Sequence, residues 1–317
     1  MQPDGWRWHH FTHEERTIRF GSVFPKGQTP DAVVVCLQGV REFTEKYYEL
    51  AQWCVDRNLA FWMMDWVGQG GSSRYLSNPQ KRHSAGFKAD AEDFHSFILE
   101  YVHHACVHPD VGRIPMVMLA HSMGSNIGLR VMSRYPDLFA CAAFTAPMMQ
   151  IKATKYIPTF IGTPLTGLLR FIMGNAYVPG GHDWKKGTER ARLTSDPQRK
   201  LIQDLWYEAN PDLRCGDVTM GWLYHAYRSC LHVQKETFLK HITAPCLFGL
   251  PGQEDLVDNE TVHKCARHIP HAQIIDYPGA YHEILIENDA VRDNFLNHFY
   301  SLVKEHVIDK PERLKQF

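Results

Sequence analysis

Short runs of apolar residues alternate along the chain with longer segments in which apolar residues recur at helical spacing. The runs are rich in β-branched and aromatic residues, which is typical of strands buried on both faces. Strands are predicted at residues 33–37, 60–64, 116–120, 140–144, 245–250 and 273–277. Helices are predicted at residues 45–57, 85–105, 125–135, 259–268 and 290–306. This alternation predicts an α/β fold, a mostly parallel sheet with helices on both faces.

The alternation stops between about residue 148 and residue 235. This region contains clusters of proline, glycine and charge, with helical patterns at residues 198–208 and 220–232. Because the strand pattern resumes afterwards, the region is predicted to be an insertion over the carboxyl edge of the sheet, where open α/β sheets bind ligands. We therefore predict a core formed by residues 1–147 and 236–317, with residues 148–235 as a cap.

Composition and charge narrow the class of protein. Of the 317 residues, 44% are hydrophobic and 22% are charged, which excludes a disordered or fibrous protein. The 34 basic and 35 acidic residues give a formal net charge of −1, whereas nucleic-acid binders normally show a basic excess.

Residues Met1 to His10 contain no apolar signal core, and none of the eight cysteines forms a Cys-x-x-Cys pair. A reduced, cytoplasmic protein is the expectation.

Candidate chemistry is concentrated where predicted strands end. The sequence Ala120-His121-Ser122-Met123-Gly124 lies between a predicted strand and a predicted helix. A serine on such a sharp turn adopts a strained backbone that lifts its hydroxyl clear of the sheet, and crowding demands small residues two positions before and after it. Ser122 is therefore the predicted nucleophile. The backbone N–H of Met123, at the start of the helix, is predicted to stabilise an oxyanion.

A serine nucleophile needs a base, and the base needs an orienting acid. Both partners are expected at the carboxyl ends of later strands, in the order serine, acid, histidine. His282 lies in a glycine-containing loop after the last predicted strand and is the predicted base. Asp255, in the loop after strand 245–250, is the predicted acid, and its neighbours Glu254 and Asp258 are alternatives.

The second oxyanion donor is expected in the loop after strand 33–37, which reads Gln38-Gly39-Val40. A glycine there lets the backbone approach a ligand closely. The backbone N–H of Val40 is the predicted donor, and an ordinary strand-to-helix turn is the alternative.

Taken together, these motifs resemble those of the α/β hydrolases of the monoacylglycerol lipase and lysophospholipase branch. The matching segments are Gln38-Gly39 with Glu42 and 47–51, the glycine-rich turn 65–72, the serine turn 120–125 and the histidine loop 279–283. Thr194 to Arg199 is similar to a string in the bacterial lysophospholipases. The resemblance implies an α/β-hydrolase fold in which the helical insertion forms a cap that selects the substrate. It implies neither a metal nor an organic cofactor.

Three positions depart from the family pattern. Gln38 and Gln69 stand where the family has histidine, and Ala120 stands where it has glycine. Both glutamines are expected to flank the mouth of the site and to alter substrate contacts. Gln38, Gly39 and His121 are the predicted substrate-binding residues.

The expected activity is hydrolysis of carboxylic esters of acyl glycerols or lysophospholipids through an acyl-enzyme intermediate. A general carboxylesterase or thioesterase is the alternative, and a catalytically silent binding protein of the same fold would be expected to lack one member of the triad. Apolar residues between Tyr156 and Ile172 fit contact with an acyl chain or with the inner face of a membrane, and equally fit packing between cap and sheet. The expected partner is thus a small acyl ester, without nucleic acid.

Overall fold

The sheet is built from eight strands. The computed structural model describes residues 1–108, 112–187 and 192–310, so residues 188–191 of the predicted cap and 311–317 of the predicted core lie outside it. The strands of the described sheet are β1 (Arg7–His13), β2 (Arg16–Val23), β3 (Ala32–Leu37), β4 (Leu59–Met64), β5 (Met116–His121), β6 (Cys141–Thr145), β7 (Cys246–Pro251) and β8 (Ala272–Tyr277). Their order is β1-β2-β4-β3-β5-β6-β7-β8. Strands β3 to β8 pair in parallel, which confirms the predicted fold class.

One edge of the sheet is an antiparallel hairpin that the sequence did not predict. β1 pairs with β2, and β2 runs antiparallel to β4. Most of β1 is exposed, so its sequence lacks the apolar run of a buried strand. The hairpin turns at Glu14 and Glu15, whose φ angles of 45° and 67° are conformations that usually select glycine or asparagine.

Helices connect the parallel strands. The longer ones are α1 (Tyr48–Val55), α2 (Phe87–Phe97), α3 (Met123–Arg134), α4 (Thr159–Met173), α5 (Ile202–Ala209), α6 (Met220–Val233), α7 (Asn259–Ala266) and α8 (Asp289–Val303). Shorter helical segments are Thr44–Tyr47, Ile98–Val102, His103–Ala105, Lys152–Thr154, Arg199–Leu201, Pro211–Leu213, Glu236–Leu239, Ile284–Ile286 and Lys304–Ile308, and a small ribbon pairs Val107–His108 with Gly112–Arg113. Every predicted helix is present, and the structure also contains α4, which the sequence analysis does not predict.

The core lies on both faces of the sheet. Along β3, Val33 and Val35 pack into one buried cluster, whereas Val34 and Cys36 pack into the other. Successive side chains of a strand point to opposite faces, so a strand covered on both sides must be apolar at every position. This is why the central strands read as unbroken apolar runs. Their carboxyl ends meet at one edge because these strands pair in parallel.

Helices α4, α5 and α6 lie in the chain between β6 and β7, within the predicted cap. α4 contains Pro164 and packs against α6, where a side chain at Gly162 would collide with the ring of Tyr227. α6 also packs against α3 and α2 of the core, so the limits 148–235 for the cap stay a prediction. No helix within residues 1–108, 112–187 and 192–310 is long and apolar enough to cross a membrane.

Candidate active site

The serine turn has the strained geometry that its sequence predicts. Ser122 joins β5 to α3 with φ 50° and ψ −114°, a backbone conformation that residues other than glycine rarely adopt. A Cβ at Gly124 would lie 2.5 Å from the carbonyl oxygen of Leu37, so only glycine fits two positions after the serine. Ala120, two positions before it, is fully buried, so a methyl group is accommodated there.

The turn brings Ser122 to His282, which lies in the loop after β8. Ser122 Oγ is 3.0 Å from His282 Nε2, although the two residues are 160 positions apart in the chain. On the other side of the ring, His282 Nδ1 is 2.7 Å from Glu254 Oε2. All three residues are buried. The arrangement gives a hydroxyl, an imidazole and a carboxylate in hydrogen-bonded sequence.

The carboxylate that contacts His282 belongs to Glu254, so the structure contradicts the prediction of Asp255 as the acid. The side chain of Asp255 is 84% exposed and lies 3.3 Å from Lys152 Nζ, pointing away from the histidine. Asp258 instead accepts the backbone N–H of Thr261 at the start of α7. Glu254 faces inward because its Oε1 accepts the backbone N–H groups of Leu256 and Val257 in the tight turn after β7. One carboxylate oxygen is thereby fixed by the backbone and the other is left for the imidazole.

The electrostatics of the pair favour a charged imidazole next to a charged carboxylate. Burial lowers the pKa of His282, but the carboxylate of Glu254, with Glu283 and Glu42 nearby, raises that pKa above its ordinary value. Burial likewise raises the pKa of Glu254, but His282 and two backbone N–H groups lower it below its ordinary value. His282 is therefore suited to accept a proton, and Glu254 to remain ionised while it does so.

The predicted oxyanion loop lies directly against the serine. A Cβ at Gly39 would lie 3.2 Å from Ser122 Cβ and 2.9 Å from Glu42 Oε2, so glycine is what allows this close approach. Met123 is the first residue of α3, where a backbone N–H has no acceptor within the helix. Val40 follows Gly39 in the loop and is partly buried against the core. The roles of Val40 and Met123 as donors stay predictions.

The sequence predicts that Gln38 and Gln69 flank the mouth of the site. This prediction is wrong, because both side chains are fully buried. Gln38 Nε2 donates to Asp65 Oδ1 at 3.0 Å. Gln69 Nε2 donates to the carbonyl oxygens of Gly39 and Glu42, and its Oε1 accepts the backbone N–H of Arg41. Gln69 therefore clamps the loop that carries the predicted oxyanion donor, and neither glutamine is placed to touch substrate.

A buried charge cluster behind the loop was not predicted from the sequence. Lys46 Nζ lies 2.8 Å from Glu42 Oε1, 2.6 Å from Glu283 Oε1 and 3.2 Å from Gln203 Oε1. Glu42 Oε2 accepts the backbone N–H of Gly39 at 2.5 Å. The cluster connects the Gly39 loop, the loop of His282 and helix α5. Lys46 and Glu283 are 237 positions apart in the chain, so the sequence does not show that their side chains meet.

His121, predicted to bind substrate, lies beneath the site. It is 2% exposed, its Nδ1 is 3.0 Å from Thr145 Oγ1, and its ring packs against that of His282 with 4.8 Å between centroids. Burial lowers its pKa to about 4, so it is neutral at neutral pH. In the described part of the chain, no three His, Cys, Asp or Glu side chains lie close enough together to hold a metal ion.

Comparison with known proteins agrees with this fold. The model of the Hydrolase_4 family, described as serine aminopeptidase, S33, matches residues 28–289. The chain is 27% identical over 303 residues to lysophospholipase L2 of Escherichia coli K12, covering 92% of this chain and 84% of that protein. It is 24% identical over 303 residues to the monoglyceride lipase of Rattus norvegicus, covering 94% and 90% of the two chains.

Solved structures show the same fold. A soluble variant of monoglyceride lipase from Saccharomyces cerevisiae, in complex with a substrate analogue, superposes with a TM-score of 0.73 at 15% identity, over 96% of this chain and 98% of that one. A carboxyl esterase from Bacillus coagulans superposes with a TM-score of 0.71 at 16% identity, over 96% and 99%. Since the family model spans both the serine turn and Glu254 with His282, the chain belongs to the serine aminopeptidase S33 family of α/β hydrolases.

Proposed function

We propose that the protein is a serine hydrolase that cleaves carboxylic esters of acyl glycerols or lysophospholipids through an acyl-enzyme intermediate. The observation that carries the proposal is the hydrogen-bonded series Ser122, His282 and Glu254, with 3.0 Å and 2.7 Å between the bonded atoms. A serine hydroxyl is activated as a nucleophile by this arrangement of base and acid. The strained turn at Ser122 adds a fixed position for the nucleophile.

In the first step, Ser122 Oγ attacks the ester carbonyl carbon while His282 Nε2 takes the hydroxyl proton. The carbonyl oxygen becomes an oxyanion, and the backbone N–H groups of Val40 and Met123 are the proposed donors to it, each worth about 3–4 kcal/mol. Glu254 holds the proton of His282 on Nδ1 and stabilises the imidazolium that forms. The C–O bond then breaks as His282 gives its proton to the leaving alcohol.

In the second step, water replaces the alcohol. His282 takes a proton from the water, whose oxygen attacks the acyl-enzyme carbonyl, and the same two N–H groups receive the second oxyanion. Collapse releases the carboxylic acid and returns the proton to Ser122. Every proton thus passes through the Nε2 atom that lies 3.0 Å from the serine oxygen.

The choice of acyl glycerols or lysophospholipids rests on two kinds of support. The relatives named lysophospholipase L2 and monoglyceride lipase each match more than nine-tenths of this chain. Helix α4 also presents an apolar surface, with Phe160 79%, Phe171 90% and Ile172 68% exposed. An exposed surface of this kind fits a protein whose substrate is an amphiphile.

The test is labelling with a fluorophosphonate probe, followed by a substrate panel. Stoichiometric labelling of the wild type that is lost in Ser122→Ala, with an unchanged melting temperature, is expected. The panel compares short-chain p-nitrophenyl esters, monoacylglycerols, lysophospholipids and an aminoacyl p-nitroanilide, since the family description names peptidases. Cleavage of the anilide alone would replace ester hydrolysis by peptide hydrolysis, and an intact protein that neither labels nor cleaves any member would be a binding protein.

We also propose that the apolar surface of α4 makes peripheral contact with lipid aggregates. Phe160 and Phe171 are the most exposed aromatic side chains on it. The double variant Phe160→Ser with Phe171→Ser is expected to lose cosedimentation with phosphatidylcholine vesicles and activity on vesicle-borne substrate, while cleavage of a soluble short-chain ester is unchanged. Equal loss on both substrates would show instead that these side chains shape the site. A cytoplasmic location, at the inner face of a membrane, stays a prediction.

A further inference from the structure

A cleft of about 430 Å³ lies at the junction of four helices, away from the serine. Its walls come from the amino end of α2 and from α3, α4 and α6. Arg130, on its wall, is eight residues after Ser122 on α3, so it lies about 12 Å further along the helix axis at ~1.5 Å per residue. The cleft is therefore separate from the crevice that holds the proposed nucleophile.

The side chains that line this cleft are strongly basic. Its cationic and titratable members are Lys88, Arg130, Arg170, His225, Arg228 and His232. Glu92 is the acidic member of its lining, and it lies 3.5 Å from Lys88 within α2. Three guanidinium groups thus line one open cleft together with one carboxylate that already has a partner.

None of the three arginines forms a salt bridge with any described residue. Arg130 donates to Ser229 Oγ at 3.2 Å, and Arg228 donates to Tyr224 Oη at 2.9 Å. Arg170 lies over the ring of Tyr224, 5.0 Å from its centroid. These neutral neighbours position the guanidinium groups, each of which has five N–H donors, without neutralising their charge.

The positive charge of the arginines contributes to lowering the pKa of two neighbouring histidines. Burial, followed by Arg170, His83 and Arg228, lowers the pKa of His225 to about 4. Burial and then Arg130 and Lys235 lower the pKa of His232. Burial lowers the pKa of Arg130 as well, against the opposing effect of Asp90 and Glu92. Asp90 and Glu92 thus offset part of the charge of Arg130, whereas no salt bridge with a described residue neutralises Arg170 or Arg228.

We propose that this cleft binds the phosphate group of a phosphomonoester. Several guanidinium groups reaching one space from different helices match the tetrahedral arrangement of phosphate oxygens, which accept more hydrogen bonds than a carboxylate offers. The amino end of α2 opens into the same cleft, and its first residue is preceded by Gly86, which provides no side-chain cap for the free N–H groups. The volume is within the range of small-molecule sites.

The phosphate can belong to a soluble ester or to a lipid headgroup, and the experiment separates these sources. The probes are inorganic phosphate, followed by calorimetry at constant ionic strength, and phosphatidylcholine vesicles with and without phosphatidic acid, followed by cosedimentation. The variant is Arg170→Gln with Arg228→Gln. The matched control is Arg7→Gln with Arg267→Gln, two exposed arginines outside the cleft whose loss changes the net charge equally.

The cleft variant is expected to bind phosphate at least about a hundredfold more weakly than the wild type, because two charge-assisted contacts are lost, while the control binds as the wild type does. Binding to phosphatidic acid vesicles is measured without inorganic phosphate. If this binding is weakened in the cleft variant and unchanged in the control variant, the site is assigned to a lipid headgroup. If the cleft and control variants do not differ with either probe, the proposal is wrong. Cleavage of a soluble ester checks folding, and Arg228→Gln alone, an exposed change, repeats the test if the double variant does not fold.

Discussion

Replacing Glu254 by glutamine tests the central feature of the site. The amide keeps the size of the side chain but removes the charge that lies 2.7 Å from His282 Nδ1. It can also present its NH₂ group to the ring, which selects the tautomer with the proton on Nε2, where it cannot accept the hydroxyl proton of Ser122. Loss of the acid in triads of this kind lowers kcat by about 10⁴-fold, which corresponds to about 5 kcal/mol of transition-state stabilisation.

The same substitution has a defined effect on pH dependence. His282 acts as a base only when it is neutral, so kcat/KM rises with pH through the pKa of His282. Glu254 raises this pKa in the wild type, against the opposing effect of burial. In Glu254→Gln the rise in kcat/KM is therefore expected at lower pH than in the wild type. The assay is steady-state hydrolysis of a soluble p-nitrophenyl ester across the pH range, in buffers of constant ionic strength.

Asp255→Asn is the matched control, because it removes a carboxylate one position away. That side chain is 84% exposed and pairs with Lys152, so activity is expected to change by less than about twofold. If Asp255→Asn abolishes activity while Glu254→Gln retains it, the assignment of the acid is wrong. Equal, small losses in both would mean that neither Glu254 nor Asp255 orients His282.

Two further substitutions test buried charges, one near the site and one in α2. Lys46→Met leaves Glu42 and Glu283 without their shared cation, so the free energy of unfolding is expected to fall by about 3 kcal/mol or more and the rise of kcat/KM to move to higher pH. Chemical denaturation and the pH profile measure these effects, and Glu283→Gln added to Lys46→Met should reverse part of both. Burial raises the pKa of Asp90 to about 6 from 3.8, so ionisation of Asp90 destabilises the fold as pH rises through this window. Asp90→Asn is expected to stabilise by about 3 kcal/mol at about pH 8 and little at about pH 4, and equal stabilisation at both would contradict this.

The parallel sheet could be predicted because its strands are buried on both faces. A strand such as β3 must then be apolar at every position, and this run is visible without knowing any neighbour. The β1–β2 hairpin could not be found in the same way, since it is exposed at the edge and turns at Glu14 and Glu15 in place of glycine or asparagine. Pro164 similarly obscured α4, because a proline within a helix usually marks its end.

Ser122 and His282 could be predicted because the fold fixes where their strands end. The choice between Glu254 and Asp255 could not, since both follow β7 and either carboxylate suits the chemistry. What decides it is the turn after β7, in which Glu254 accepts two backbone N–H groups and is drawn inward. The burial of Gln69 could not be predicted from the sequence for a related reason. Its three backbone contacts come from the Gly39 loop, about thirty positions earlier in the chain, and only folding brings them together.

The charge cluster around Lys46 explains how His282 remains a base in so acidic a setting. Glu254, Glu283 and Glu42 all raise the pKa of His282, and without a compensating cation the imidazole would hold its proton at the pH where it must accept one. Lys46 is buried between Glu42 and Glu283, and its charge lowers the pKa of Glu42 to about 2 against the opposing effect of burial. The lysine therefore offsets part of the charge of the two carboxylates that do not touch the imidazole, and Glu254, which does touch it, has the largest raising effect on the pKa of His282. Because the same amine bonds to Gln203 of α5, the charge balance at His282 depends on the position of that helix.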